Sequence, residues 1–288
     1  MIGVVNVYKE KGFTSHDVVA IMRRVAGTKK VGHTGTLDPD ATGVLPICIG
    51  RATKLAENFA AADKTYIAEI VLGIETTTGD ISGEIITREN VNISREILQE
   101  AVDSFHVKNH GVYMQVPPMF SAIKIGGKKM YEIARKGEKI DIPPRPVTIH
   151  DIALLNFTPE KNTFTIKVTC SKGTYIRSLA VDIGKKLGTC GTMGALERTQ
   201  SGIFTLDTAH TLDVIKTTPL ADILMPIDSL LPYPKITLPQ DMVTHALNGN
   251  PLPNLNVPPG EKVWLCTQEQ IIGLYKADSK KLRVEVML

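Results

Sequence analysis

Residues 106–146 constrain the fold more than any other stretch, because they interrupt a chain otherwise patterned for a packed core. They hold Pro117-Pro118, Gly126-Gly127 and Pro143-Pro144-Arg145-Pro146, with only short apolar runs between. Proline removes an amide donor and glycine favours turns, so neither a long helix nor a central strand can run through them. The stretch is therefore expected to leave the core as an excursion, a basic arm spanning about 105–149. Between Phe105 and Ile149 stand Lys108, Lys124, Lys128, Lys129, Arg135, Lys136, Lys139 and Arg145, against only Glu132, Glu138 and Asp141. The whole chain carries a net charge of just +3, so the rest of it is slightly acidic. Such segregation marks either a local anion-binding surface or a solvated loop.

The flanks of the arm read as alternating strands and helices. Met1 to Val7 is apolar but is followed at once by Lys9, Glu10 and Lys11. That is too short for a signal-peptide core and suits a first buried strand. Thr14 and Asp17 have capping-box spacing, and Val18, Met22 and Val25 then repeat at helical intervals. Val44 to Ile49 follows a Gly-rich stretch and reads as a buried strand or helix. Leu55 and Phe59 mark a short helix, Tyr66 to Leu72 a strand, Thr76 to Gly83 a turn, and Ile97, Ala101 and Phe105 another helix. Beyond the arm, Val147 to Phe157 and Thr163 to Ser171 are expected as strands. Thr174 to Leu187 is expected as a helix with Ile176, Leu179, Ile183 and Leu187 on one face, and Leu196 to Leu206 as a strand. Prolines at 226, 232, 234, 239, 251, 253, 258 and 259 then suggest a linker. The division expected is one large α+β unit over 1–233 and a small β-rich module over 236–288.

Several function classes drop out. No apolar run approaches the roughly 18 residues of a membrane span, so no membrane association is expected. Cys48, Cys170, Cys190 and Cys266 form no C-x-x-C pair and lack a histidine at zinc-ligand spacing, so no metal is expected. Free thiols in a chain of this length fit a reducing, cytoplasmic setting.

The segment with chemical content runs Gly32-His33-Thr34-Gly35-Thr36-Leu37-Asp38-Pro39-Asp40-Ala41-Thr42-Gly43-Val44-Leu45-Pro46. A phosphate-binding P-loop would need Gly-Lys-Ser/Thr after its spacer, and none follows. A calcium loop starting at Asp38 would place Ile49 where a bidentate Glu belongs, with Pro39 inside the loop. A plain Asp-Pro turn remains as the ordinary alternative.

The full string resembles the signature of the pseudouridine synthases, in the branch that modifies uridine 55 in the T-loop of tRNA. Lys64-Thr65-Tyr66, Thr76-Thr77-Thr78-Gly79-Asp80 with Gly83, and Gln115 to Lys124 are similar to that family's segments, in the same order. So are Gly126 to Glu132 and Lys172 to Leu179. One departure is Lys9-Glu10-Lys11-Gly12, where the family usually shows Lys-Pro-x-Gly. The resemblance implies a mixed sheet flanked by helices and an isomerase that needs no cofactor. By that resemblance Asp38 is the nucleophile, paired with Arg177, and Tyr66 stacks on the target base. Attack on the sugar, attack on the base and a glycal route all stay open. A buried uridine must be flipped out before an enzyme can reach it. His33 is implied to take up the vacated space, Tyr175 and Leu196 to wall the uracil pocket, and Asp80, Lys124, Lys128 and Lys129 to contact RNA. The arm would grip the T-arm of tRNA through phosphates, and the terminal module resembles a shortened PUA-type RNA-binding domain directed at the acceptor stem. A monomer without a protein partner is expected. A tRNA-binding folding chaperone and an RNA-guided synthase component are the rival functions.

Overall fold

The computed structural model describes residues 1–121, 123–125, 128–130 and 140–288, with the backbone alone at 109–110, 124–125 and 128–129. The chain opens with β1 (Gly3–Lys9) and the helix Ser15–Val25. Thr14 caps that helix: its Oγ1 accepts from Asp17 N at 3.1 Å, while its own amide donates to Asp17 Oδ2 at 2.8 Å. This reciprocal box satisfies two otherwise unpaired amides, and Arg23 and Arg24 in the last turn suit the negative end of the helix. Next come β2 (Val31–His33), β3 (Thr42–Ile49), a 3-10 turn, the short helix Ala56–Ala60 and β4 (Lys64–Leu72). Val44 to Ile49 is thus strand. β5 (Ile74–Thr76) and β6 (Ile85–Arg88) form a hairpin around the expected Thr76–Gly83 turn.

Of the residues expected to mark the helix Arg95–Asp103, Ala101 and, just past its end, Phe105 are buried and Ile97 is not. Leu98, Ala101 and Val102 point inward, whereas Ile97 is 55% exposed. Spacing of four from Ile97 to Ala101 and Phe105 fits a helix, but Leu98 and Val102 fit it equally, and the sheet decides between them.

Within the arm lie the helix Val107–His110, β7 (Tyr113–Gln115), β8 (Lys124–Ile125), β9 (Lys128–Lys129) and β10 (Arg145–Val147). β7 pairs antiparallel with β10, so the two ends of the excursion are zipped together. Met130 and Ile142 bury against Met119, Ile123 and Ile140 as a small cluster of the arm's own.

β11 (Ile149–Thr158) and β12 (Thr163–Cys170) follow, then the helix Ile176–Lys186, β13 (Gly191–Ser201) and β14 (Phe204–Thr205). The strand expected from Leu196 to Leu206 therefore starts five residues earlier and turns back at Gly202. The main sheet runs β1-β3-β13-β4-β12-β11, with β2 on β3 and β14 on β13. All pairs are antiparallel except β13 with β3, which makes the sheet mixed. Helices Ser15–Val25, Arg95–Asp103 and Ile176–Lys186 bury their apolar stripes in one large core against it. The Ile176–Lys186 helix approaches β13 backbone to backbone. A Cβ on Gly184 would lie 2.3 Å from Gly191 N, so only glycine permits this packing.

The C-terminal residues form a separate sheet: β15 (Lys235–Thr237), β16 (Leu252–Pro253), β17 (Lys262–Cys266), β18 (Ile271–Ala277) and β19 (Lys281–Met287). Its order is β15-β17-β18-β19-β16, with the helix Gln240–Leu247 beside it. Trp264, Leu274 and Leu288 share one apolar cluster with Val4, Val44, Cys48 and Leu55 of the main unit. Among the described residues no helix is long and apolar enough to cross a membrane, and the four cysteines are unpaired.

Candidate active site

Asp38 sits on the loop between β2 and β3, and buried side chains from two neighbouring elements hold that loop. Ser15 Oγ donates to Leu37 O at 3.1 Å and accepts from Leu37 N at 2.9 Å. Lys9, with no exposed surface, donates from Nζ to Glu10 O, Phe13 O and Pro39 O at 3.1, 2.7 and 3.0 Å. Burial lowers the pKa of Lys9 to about 8, although the nearby Asp38 and Asp40 charges oppose the shift. Gly12, at φ +88°, donates its amide to Pro39 O at 2.9 Å. The 9–12 turn therefore docks on the Asp38 loop with Glu10 standing where the family usually has proline.

Arg177 lies in the first turn of the Ile176–Lys186 helix, 6% exposed rather than on the surface. Its Nε reaches Asp38 Oδ2 at 3.0 Å and its Nη2 reaches Asp38 Oδ1 at 3.4 Å, a two-point pairing that fixes the direction of the carboxylate. The same guanidinium donates to Phe120 O at 2.9 Å and Thr78 O at 3.3 Å. Asp80 approaches the same nitrogen, its Oδ2 3.8 Å from Arg177 Nε. The 76–83 turn aims Asp80, with Thr78 Oγ1 donating to its Oδ1 at 2.7 Å and Ser82 N at 3.0 Å. The Arg177 charge pulls the pKa of the Asp38 carboxyl down. Desolvation is the larger influence, however, and with the like charge of Asp80 it leaves the Asp38 pKa above the ordinary value.

Gln115 does for this helix what a capping side chain does elsewhere. Buried at the base of the arm, it donates from Nε2 to Tyr175 O at 3.0 Å and accepts from Tyr175 N at 2.8 Å. Ser178 Oγ adds a bond to Val116 O at 2.7 Å.

Asp38 and Arg177 face a cleft of about 520 Å³ that Tyr66, Phe120, Tyr175 and Leu196 also line. Tyr66 is nearly buried on β4, paired with Val168 and Arg198 on the flanking strands. Burial raises the pKa of both Tyr66 and Tyr175, which keeps the phenols protonated. Asp80, Asp40 and Ile81 line an adjoining recess of about 360 Å³, with Asp38 and Arg177 on the boundary between the two. The structure thus brings together Asp38, Tyr66, Asp80, Tyr175, Arg177 and Leu196. His33 does not line either space. Its Nδ1 accepts from Gly35 N at 3.3 Å, and its ring meets His16 edge-on at 6.3 Å. Lys124 pairs with Lys129 and Ile125 with Lys128 through the backbone, while the side chains of Lys124, Lys128 and Lys129 lie outside the described residues. Lys9, Ser15, Gln115 and Arg198 were not singled out from the sequence, because a bond to a backbone carbonyl leaves no residue pattern to find.

Solved structures share this architecture. A Cbf5–Nop10–Gar1 complex aligns with a TM-score of 0.72 and 25% identity, over 99% of this chain and 84% of that one. An H/ACA ribonucleoprotein bound to a substrate RNA containing 2′-deoxyuridine aligns with a TM-score of 0.70 and 23% identity, over the same shares. The mixed sheet flanked by helices is that of a pseudouridine synthase fold. Residues 23–176 match the family described as TruB family pseudouridylate synthase (N terminal domain), and residues 177–232 match the tRNA pseudouridylate synthase B C-terminal domain. The chain belongs to the TruB family of pseudouridylate synthases. Relatives named tRNA pseudouridine synthase B include those of Alkaliphilus oremlandii, 45% identical over 95% of this chain and 92% of that protein, and Bacillus pumilus, 47% identical over 87% and 83%. That of Listeria innocua is 44% identical over 98% of this chain and 95% of its own length.

Proposed function

We propose that this protein converts uridine 55 in the T-loop of tRNA to pseudouridine, with Asp38 as the nucleophile. The observation that carries the reading is the two-point Arg177–Asp38 pair at the wall of a cleft of about 520 Å³. The reaction breaks the N1–C1′ bond, turns the base and joins C5 to C1′, while C5 loses a proton and N1 gains one. No electrons leave the substrate, so the reading calls for no redox cofactor. The flipped uracil enters the cleft between Tyr66, Tyr175 and Leu196, and Tyr66 stacks on it. Asp38, ionised and aimed by Arg177, forms the covalent link that divides one difficult step into two. Asp80 adds a second carboxylate at Arg177 Nε. His33 moves from its bond with Gly35 into the space the base leaves.

The arm, with Lys124, Lys128 and Lys129, grips the T-arm through its phosphates. The 236–288 module acts as a PUA-like RNA contact toward the acceptor stem, and residues 1–233 form the catalytic unit. The enzyme works in the cytoplasm as a monomer without a protein partner. Against the RNA-guided rival, whose support is a fold likeness at 23–25% identity to Cbf5 in its complexes, stand relatives at 44–47% identity named tRNA pseudouridine synthase B. A binding-only protein gains nothing from a buried arginine aimed at a partly desolvated carboxylate. Incubating purified protein with unmodified tRNA transcript and no other RNA, then mapping pseudouridine, tests the reading. Modification confined to the T-loop is expected; unmodified transcript would refute it.

A further inference from the structure

Arg198 is among the largest fully buried side chains, 1% exposed, and among the described residues it forms no ion pair. A guanidinium taken out of water without a carboxylate partner carries a desolvation cost that must be met by hydrogen bonds. Those bonds go to backbone carbonyls around one loop. Nε donates to Val44 O at 2.7 Å, Nη2 to Gly35 O at 3.2 Å and Nη1 to Thr36 O at 3.5 Å. Gly35 and Thr36 form one stem of the Asp38 loop and Val44 lies on the other, so a single planar group spans its mouth.

The strand carrying Arg198 is locked in the same place. β13 runs parallel to β3 only at Glu197↔Thr42 and Arg198↔Gly43. There Gly43 takes φ +105°, and a Cβ on it would stand 2.2 Å from Arg198 O, so the two backbones touch. On its other side Arg198 is in register with Tyr66 of β4. Both side chains line the cleft.

We propose that Arg198 is a positioning residue that holds the Asp38 loop and Tyr66 as one unit, tying both stems of the loop to the strand beside the ring. The inference rests on the reading that Asp38 and Tyr66 act on the flipped base. Lys9 and Ser15 would still hold the loop's middle if Arg198 were lost, so the loop would survive with its stems loosened. A displacement near 1 Å at a reacting group can lower a rate about 100-fold. Lysine cannot reproduce the planar fork, although it keeps the charge and can reach one carbonyl.

The test compares Arg198→Met, Arg198→Lys and Asp38→Asn in the full chain with unmodified tRNA transcript. It measures thermal unfolding, transcript Kd and single-turnover rate at saturating enzyme. For Arg198→Met, Kd should stay within about threefold of wild type while the rate falls about 100-fold, and Arg198→Lys should recover about tenfold of that loss. A wild-type rate in Arg198→Met would overturn the inference, as would equal rates for the two variants or a Kd that weakens in step with the rate. If Arg198→Met does not fold, Arg198→Lys decides alone. A rate at least about fivefold slower at unchanged Kd supports positioning, and a wild-type rate refutes it. Turnover by Asp38→Asn would overturn the underlying reading of the site, whatever the Arg198 variants do. An inactive Asp38→Asn beside a fully active Arg198→Met would overturn this inference alone.

Discussion

The Arg177 Nε meets two carboxylates, Asp38 at 3.0 Å and Asp80 at 3.8 Å, and these charges modify a titration that burial dominates. Burial raises the pKa of Asp38, Arg177 lowers it, and the Asp80 charge raises it again. Attack requires the ionised form, so activity should fall as pH drops through a value above the ordinary 3.8. Asp80→Asn removes one of the raising influences, and the acid limb of the single-turnover pH–rate profile should move to lower pH. Movement to higher pH would show that Asp80 acts mainly by orienting Arg177. The charges at this scale were legible only in part. Asp38, Tyr66 and Arg177 belong to three separate segments that resemble a known family, whereas Lys9 sits in a short charged run that looks solvated. Only the folded chain wraps three carbonyls around its ammonium. Arg198 is equally hidden, flanked by Glu197 and Thr199 like any surface strand residue.

Between elements, the base of the arm is bolted to the first turn of the Ile176–Lys186 helix. Gln115 holds both backbone groups of Tyr175, Ser178 holds Val116 O, and Phe120 O accepts from Arg177 itself. Gln115→Met should leave the Tyr175 amide unpaired, while its carbonyl keeps the bond from Leu179 N, and cost about 1–3 kcal/mol of stability. It should also slow single turnover, because the helix that aims Arg177 loses its anchor. Thermal unfolding and rate measured on one preparation check both, and an unchanged rate with a lowered Tm would limit Gln115 to stability. Periodicity located most elements but not the face that the Arg95–Asp103 helix buries, since two stripes were available. Nor could it locate the start of β13, because Gly191 reads as a loop residue until Gly184 is packed against it. His33 illustrates the same boundary: its motif is plain, yet its position behind Gly35 depends on how β2 pairs with β3.

At the scale of the whole molecule, net positive charge gathers in one stretch of the chain. The arm carries the positive excess of a chain with net charge +3. The terminal sheet is joined to the main unit through apolar contacts around Trp264. Replacing Lys128 and Lys129 with Ala should weaken tRNA binding without changing the saturated single-turnover rate. Two lost phosphate contacts should flatten the slope of log affinity against log salt by about 1.4 to 1.8. An unchanged slope would mean that the arm's charge serves another purpose. The excursion itself was evident from its prolines and glycines. The β7–β10 pairing that closes it was not, because 29 residues separate Tyr113–Gln115 from Arg145–Val147. The central claim is that this fold carries out an isomerisation with Asp38 at its centre, and one measurement tests it most directly. Wild-type protein and Asp38→Asn, each incubated with unmodified tRNA transcript, are compared by pseudouridine mapping along the whole RNA. Complete conversion at uridine 55 by wild type, with none by a variant that still binds tRNA, is the predicted result. Conversion by Asp38→Asn over many turnovers, or wild-type conversion at another uridine, would contradict it.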